Sequence, residues 1–412
     1  MIVASMTVLF TLDGTLKGSL RISRSNLQLP LVLLGLYAVI QIIPFGTVSG
    51  SDGLSYPRTI SLDPFSTQLT ALHLFVLAAF FCIALSCLDS ATRMHRLRTF
   101  LIVFGFGYSF YAILQSVLSP DAIFGIYKPL GRPFGSFVNK HDFAAVIEML
   151  IALPLGMLFS GAVERDKKML YIVAIALMGA ALLLSGSRGG FVAFFVEVVV
   201  LVVATNRAKG SRGLLLKISL SALLLIGAIG GAIFVGGETT LTRIAAEANS
   251  QDVSANRFKI WATTLEVIKA HTPFGAGLGA FQQAYTKFDP DSGEWSVQQA
   301  HNDYLQIAAD AGLVGVALGA TFLFLFVRQG RRSTRVGNVA RRGAAAGSFA
   351  GCVAILTHSL FDFVLHITAV SVLFLTLLAM LVAADREFED DVHDPISSKR
   401  KRGSVTPISA RG

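Results

Sequence analysis

The sequence predicts an all-α polytopic membrane protein of about ten transmembrane helices, and three observations carry that expectation. Charged residues make up 15% of the 412 positions and hydrophobic residues 53%. A soluble domain uses about 25% charged residues to cover its water-facing surface. Apolar segments recur along the chain, each near the ~20 residues needed to cross about 30 Å of hydrocarbon. Lys and Arg rise and fall from one connecting loop to the next, as insertion topology requires. The mean hydropathy of +0.63 agrees with all three.

Taken in order, the expected spans are 28–46, 69–88, 97–118, 143–161, 168–184, 189–205, 214–235, 304–327, 343–361 and 366–384. With the N-terminus inside, the inside loops hold 25 of the 35 Lys and Arg residues and the outside loops 10. That bias predicts an N-in, C-in arrangement. The expected organisation is a cytoplasmic segment at 1–27, a membrane domain at 28–384 and a disordered cytoplasmic tail at 385–412. The tail is acidic from Glu387 to Val392 and basic from Lys399 to Arg402. A solvated end is the simple reading of it, and attraction to anionic lipid the alternative. Met1 to Phe10 is apolar but has no basic n-region and no small-residue cleavage site, so no cleavable signal is expected there. An interfacial or re-entrant piece at Met1 to Leu12 would leave the rest of the topology unchanged.

One long outside loop, 236–303, interrupts the bundle. Within it, Phe258, Trp261, Leu265 and Ile268 recur at helical spacing, which predicts an amphipathic helix on the membrane surface or against the bundle. Ser254 or Asn256 suits its N-cap. The run Pro273-Phe274-Gly275-Ala276-Gly277-Leu278-Gly279 follows a helix and has no Lys-Ser/Thr after it. It therefore reads as a flexible turn, not a nucleotide loop.

The net charge of +9 does not imply nucleic acid, because the charge sits in short loops between apolar segments. Cys82, Cys87 and Cys352 all fall inside apolar segments without metal-like spacing. They predict neither a disulfide framework nor a zinc site.

Unusual polar residues gather on the outside face, where helices begin or end. Arg188 stands in Ser185-Gly186-Ser187-Arg188-Gly189-Gly190, flanked by glycines that permit close backbone approach. A charge at that depth marks a functional site by default, and an arginine snorkelling to headgroups is the alternative. Arg257 opens the loop helix, and a second arginine beside it makes a fork suited to a diphosphate. His301, in Ala300-His301-Asn302-Asp303-Tyr304-Leu305-Gln306, is a candidate general base for a hydroxyl acceptor, or simply a hydrogen-bonded interfacial histidine. A third group precedes the fourth span: Arg132 and Lys140 suit phosphate or sugar, and Asn139, His141 and Asp142 offer hydrogen-bonding groups to a glycan. Gly135-Ser136-Phe137-Val138-Asn139 is also turn chemistry before a helix. Glu148, Glu197, Asp310, Asp362, His73, His358 and His366 are candidates for buried interhelical contacts. Glu148 and His358 are candidates for a pairing or relay that their spacing does not show.

Five stretches in order resemble one known family: 135–143, 183–190, Arg257 to Trp261, 273–279 and 300–306. Together they look like the O-antigen ligase and O-antigen polymerase-related family of lipid-linked glycan transferases, over about residues 130–330. The resemblance implies transfer on the periplasmic face of the bacterial inner membrane from an undecaprenyl-diphosphate-linked glycan donor. The acceptor it implies is lipid A-core or growing polysaccharide, with a protein, as in the family's protein O-glycosyltransferases, left open. Arg188 and Arg257 are implied to hold the diphosphate leaving group and His301 to activate the acceptor hydroxyl. Arg132, Asn139, Lys140, His141 and Asp303 are implied substrate contacts. Inversion at the anomeric centre is expected without cofactor, metal or nucleotide sugar. Related ligases are expected with twelve spans, against about ten here. A transporter or flippase of an anionic lipid or saccharide is the competing class. It would call for inverted repeats and polar groups near the midplane, which the sequence does not present.

Overall fold

The computed structural model describes residues 2–16, 22–23, 25–49, 53–129, 131, 133–206, 251–290 and 296–386. The described chain is all-helical apart from one exposed hairpin, in which β1 (Thr47–Ser49) pairs antiparallel with β2 (Ser55–Pro57). Before it come α1 (Ile2–Leu16) and α2 (Gln28–Gln41). After it come α3 (Pro64–Cys87), α4 (Ala91–Leu118), α5 (Lys140–Ser160), α6 (Lys168–Ser185) and α7 (Arg188–Thr205). Following the undescribed stretch are α8 (Gln251–His271), α9 (Phe281–Thr286), α10 (Asp303–Ser333), α11 (Val339–His358) and α12 (Thr368–Ala383), with a short 3₁₀ turn at Val364–His366.

Among the described residues, seven helices are long and apolar enough to cross a membrane: α3, α4, α5, α6, α7, α10 and α11. Helices α2 and α12 are apolar but have 14 and 16 residues. At 1.5 Å per residue these reach about 21 and 24 Å, short of the ~30 Å hydrocarbon layer. The expected span 214–235 lies outside the described residues.

The centre of the bundle is α5, buried without interruption from Asp142 to Met157. It is hydrophobic all round, as a helix enclosed by other helices must be. Glycines let α11 approach it closely. A Cβ on Gly156 of α5 would lie 2.5 Å from the backbone nitrogen of Gly347. A Cβ on Gly347 would meet the Ala152 carbonyl at 2.6 Å, and Gly343 and Gly351 continue the same seam one turn either way. Small residues at four-residue spacing are how membrane helices gain packing contact when burial from water contributes nothing. This seam fixes the end of α11, and so His358, beside Glu148 of α5.

The glycine-rich run 273–279 corrects the expectation of a flexible turn, for it is a packed wedge. Ala276 is fully buried; its N–H donates to the Ala309 carbonyl at 2.9 Å, and that of Gly277 donates to Asp310 at 3.0 Å. Helix α10 is broken to receive it. Gly312 adopts φ 58°, ψ −146°, and the Leu313 N–H donates to the Pro273 carbonyl at 2.9 Å. Gly277, at φ +112°, has room for no side chain, because a Cβ would fall 2.3 Å from Ser61 Oγ. From α2, Tyr37 Oη donates to the Phe274 carbonyl at 2.7 Å, and Gln41 Oε1 accepts from the Leu278 N–H at 2.9 Å.

The loop helix exists as α8 and lies against α10, but with a different face inward. Thr263, Thr264 and Val267 are buried, whereas Phe258 and Leu265 are exposed. The apolar residues taken from spacing thus divide between packing and the outer surface.

Candidate functional site

The polar residues of the site meet where the end of α11 faces the starts of α7 and α10. Asn302 builds this junction. Its Oδ1 caps α10 by accepting from the N–H groups of Tyr304 at 2.9 Å and Leu305 at 3.0 Å. Its Nδ2 donates to the Leu360 carbonyl at 3.0 Å, and the Asp303 N–H donates to the Ser359 carbonyl at 2.9 Å. Residues 302–303 are thereby fastened to 359–360, which brings His301 beside Asp362. His301 itself has φ +51°. A non-glycine residue held in that region is a sterically unfavourable conformation of the kind that gathers at functional sites.

Asp362 is the anchor. Its side chain is 3% exposed. Oδ1 lies 3.1 Å from His301 Nδ1, and Oδ2 accepts from Arg257 Nη2 at 3.2 Å. Trp261, one turn after Arg257 on α8, donates its indole N–H to the Ala300 carbonyl at 3.0 Å. That contact holds the Arg257 face of α8 against the His301 segment. Burial alone would raise the Asp362 pKa, but the His301 hydrogen bond and the charges of His141, Arg257 and His301 hold it down to about 2. An ionised carboxylate only accepts hydrogen bonds, so His301 Nδ1 is the donor in this contact and Nε2 is the ring nitrogen turned away from Asp362.

Beneath Asp362 lies a buried pair. His358 Nδ1 is 3.0 Å from Glu148 Oε1, with both side chains at most 1% exposed. The pairing that spacing left open is therefore made. His141 Nδ1 is hydrogen-bonded at 2.8 Å to Ser187 Oγ, which also caps α7 by accepting from the Gly190 N–H at 3.2 Å. His141, His358 and Asp362 offer two imidazole nitrogens and a carboxylate oxygen within 4.8 Å of one another, a donor set that could hold a metal ion. Both Asp362 oxygens, however, already carry Arg257 and His301.

Arg188 is exposed at the first position of α7. A Cβ on the next residue, Gly189, would lie 2.9 Å from the His358 ring, so the α7 N-terminus abuts the same cluster. Positive charge at that rim comes from Arg188, Arg257 and the helix N-terminus together. The other expected contacts are spread more widely. Asn139 caps α5, its Oδ1 accepting from the His141 N–H at 3.0 Å, and Lys140 is half-buried at the next position. Asp303 is occupied on the far side of the junction, with Oδ1 2.8 Å from His366 Nδ1 and Oδ2 accepting from the Leu365 N–H at 3.2 Å. Arg132 lies outside the described residues. Sequence reasoning missed Asp362 as the common partner of Arg257 and His301, which stand 105 and 61 positions away.

This is a multi-pass membrane protein with a cationic, imidazole-bearing centre at one end of its helix bundle. Residues 173–320 match the O-antigen ligase family model. The match covers about a third of the chain and supports a glycosyltransferase-like role in O-antigen and polysaccharide assembly. The matched region includes Arg188, Arg257 and His301, and stops short of His358 and Asp362. No curated protein matches the chain.

Proposed function

We propose that this protein is an inverting glycosyltransferase. It moves a glycan from an undecaprenyl-diphosphate-linked donor to a hydroxyl acceptor, as an O-antigen ligase or an O-antigen or exopolysaccharide polymerase. The observation that carries the reading is the joint hold of the ionised Asp362 on His301 and Arg257, with Arg188 one residue from the Gly189–His358 contact.

In this reaction His301 Nε2 takes the proton of the acceptor hydroxyl as that oxygen attacks the anomeric carbon. The bond from that carbon to the diphosphate oxygen breaks, and the lipid diphosphate leaves with the electron pair. Asp362 fixes the imidazole tautomer and balances the charge that His301 gains. Arg257 and Arg188 meet the charge developing on the leaving diphosphate, where guanidinium groups are effective. His141, Lys140, Asn139, Arg132 and Asp303 belong to the substrate-contacting surroundings in this reading. No step calls for a metal or cofactor. The proposed orientation is N-in and C-in in the bacterial inner membrane, with the site facing the periplasm.

The test is a surface-glycan gel from the native host comparing deletion, wild-type complementation and His301→Ala at matched membrane levels. Loss of polymer on the lipid carrier identifies a polymerase. Polymer that accumulates on the carrier without reaching lipid A-core identifies a ligase. Unchanged glycans in both strains would overturn the transferase reading.

A further inference from the structure

The far end of α10 carries a second arrangement, independent of the transferase centre. The apolar run of this helix ends at Val327, and Arg328, Arg331, Arg332 and Arg335 follow within eight residues. They line a groove of about 730 Å³ together with Leu323, Phe324 and Val327. Helical spacing puts Phe324, Val327, Arg328 and Arg331 on one face, and Arg335, in the turn after the helix, lines the same groove.

The opposite face of the same segment is taken. Phe326, Gly330 and Ser333 are buried, and a Cβ on Gly330 would fall 2.2 Å from the Phe349 ring of α11. Arg332 is turned to Asp385 at 2.5 Å. Among the described residues, Arg328, Arg331 and Arg335 make no ion pair, and all three are exposed. Phe324 is 67% exposed and Val327 39%. Two open apolar side chains thus lead directly into three unpaired guanidinium groups. In a membrane-spanning helix that sequence of chemistry follows a lipid from acyl chain to headgroup.

We propose that this groove is a binding site for an anionic phospholipid, with the acyl chain against Leu323, Phe324 and Val327 and the phosphate between Arg328, Arg331 and Arg335. Topology alone accounts for basic residues in loops. It does not account for their alignment with open apolar side chains on the one face that packing leaves vacant. Guanidinium groups bind phosphate bidentately, and each basic residue near an anionic headgroup strengthens attraction severalfold.

The test uses the full chain purified in detergent, with dioleoyl phosphatidylglycerol, dioleoyl phosphatidylcholine and inorganic phosphate as probes at matched ionic strength. Retained lipid is counted by native mass spectrometry. The triple variant Arg328→Gln, Arg331→Gln, Arg335→Gln is set beside the control Arg96→Gln, Arg165→Gln, Lys168→Gln, which neutralises other loop charges. The expected result is a saturable phosphatidylglycerol site in wild type and control, weaker on the order of 100-fold in the triple variant. Phosphatidylcholine should not fill it, and inorganic phosphate should not displace the lipid. Equal retention by wild type and triple variant overturns the proposal. So does equal loss in the control, which would mean diffuse attraction, and so does displacement by inorganic phosphate, which would mean a free-anion site. Size-exclusion elution as a single peak, shared by all three proteins, keeps misfolding from mimicking the expected loss.

Discussion

Replacing Asp362 by Asn tests the centre most directly, because it keeps the shape and removes the charge. In the native site one carboxylate serves two partners, His301 at 3.1 Å and Arg257 at 3.2 Å. A hydrogen bond to a charged group contributes about 1.5–3 kcal/mol. An amide has one oxygen and one N–H₂, so it can accept from only one of the two and opposes the other with a donor. Losing one such bond and weakening the second amounts to roughly 3–4 kcal/mol, which is about 150- to 1000-fold in rate at 1.36 kcal/mol per tenfold. Asp362 orients His301 and does not itself need to touch substrate, so the loss should fall on kcat with KM for the lipid-linked donor little changed. The assay is glycan transfer by the purified protein in proteoliposomes at matched protein levels. Asp362→Asn turning over within about threefold of wild type would refute the reasoning, as would a defect confined to KM.

Three further outcomes follow from the geometry. Gly277→Ala should destabilise the fold by about 2–5 kcal/mol, since it adds backbone strain to a methyl group facing Ser61; loss of the wild-type peak in fluorescence-detected size exclusion reports it, and wild-type elution with an unchanged melting temperature would contradict it. Acid should remove a specific stabilisation: the folded Asp362 pKa of about 2 lies below its ordinary value of 3.8, so its contribution is complete above pH ~4 and is lost as pH falls towards 2. That contribution is roughly 2 kcal/mol, and the melting-temperature drop between pH 4 and pH 2 should be smaller in Asp362→Asn. Transfer should survive chelation by EDTA because both Asp362 oxygens are occupied by protein groups; activity lost to EDTA and restored by a divalent ion would assign His141, His358 and Asp362 to a metal instead.

The sequence carried the all-helical membrane architecture because apolar length and charge alternation are one-dimensional properties. Arg257 and His301 were also legible, since charged or titratable groups at the margins of apolar segments stand out. Asp362 was visible only as one buried carboxylate among several. What distinguishes it is contact with residues far away in the chain, produced by the Asn302 junction. The Glu148–His358 pair was legible as two residues and not as a bond, because the close seam of Gly343, Gly347 and Gly351 that aligns α11 with α5 is needed to make it. Residues 273–279 misled for a related reason. Glycine permits flexibility and close packing alike, and only the partner surface of Ser61, Asp310 and Gly312 decides between them.

The wedge has a consequence for attempts to exchange specificity between related chains. Residues 251–303 look like a cassette that leads into α10 and carries Arg257 and His301. The wedge within them is keyed to Tyr37 and Gln41 of α2, to Ser61 and to the break in α10. A graft of this stretch from another scaffold would arrive without its lock. Transplanting specificity therefore requires moving the loop together with those receiving residues.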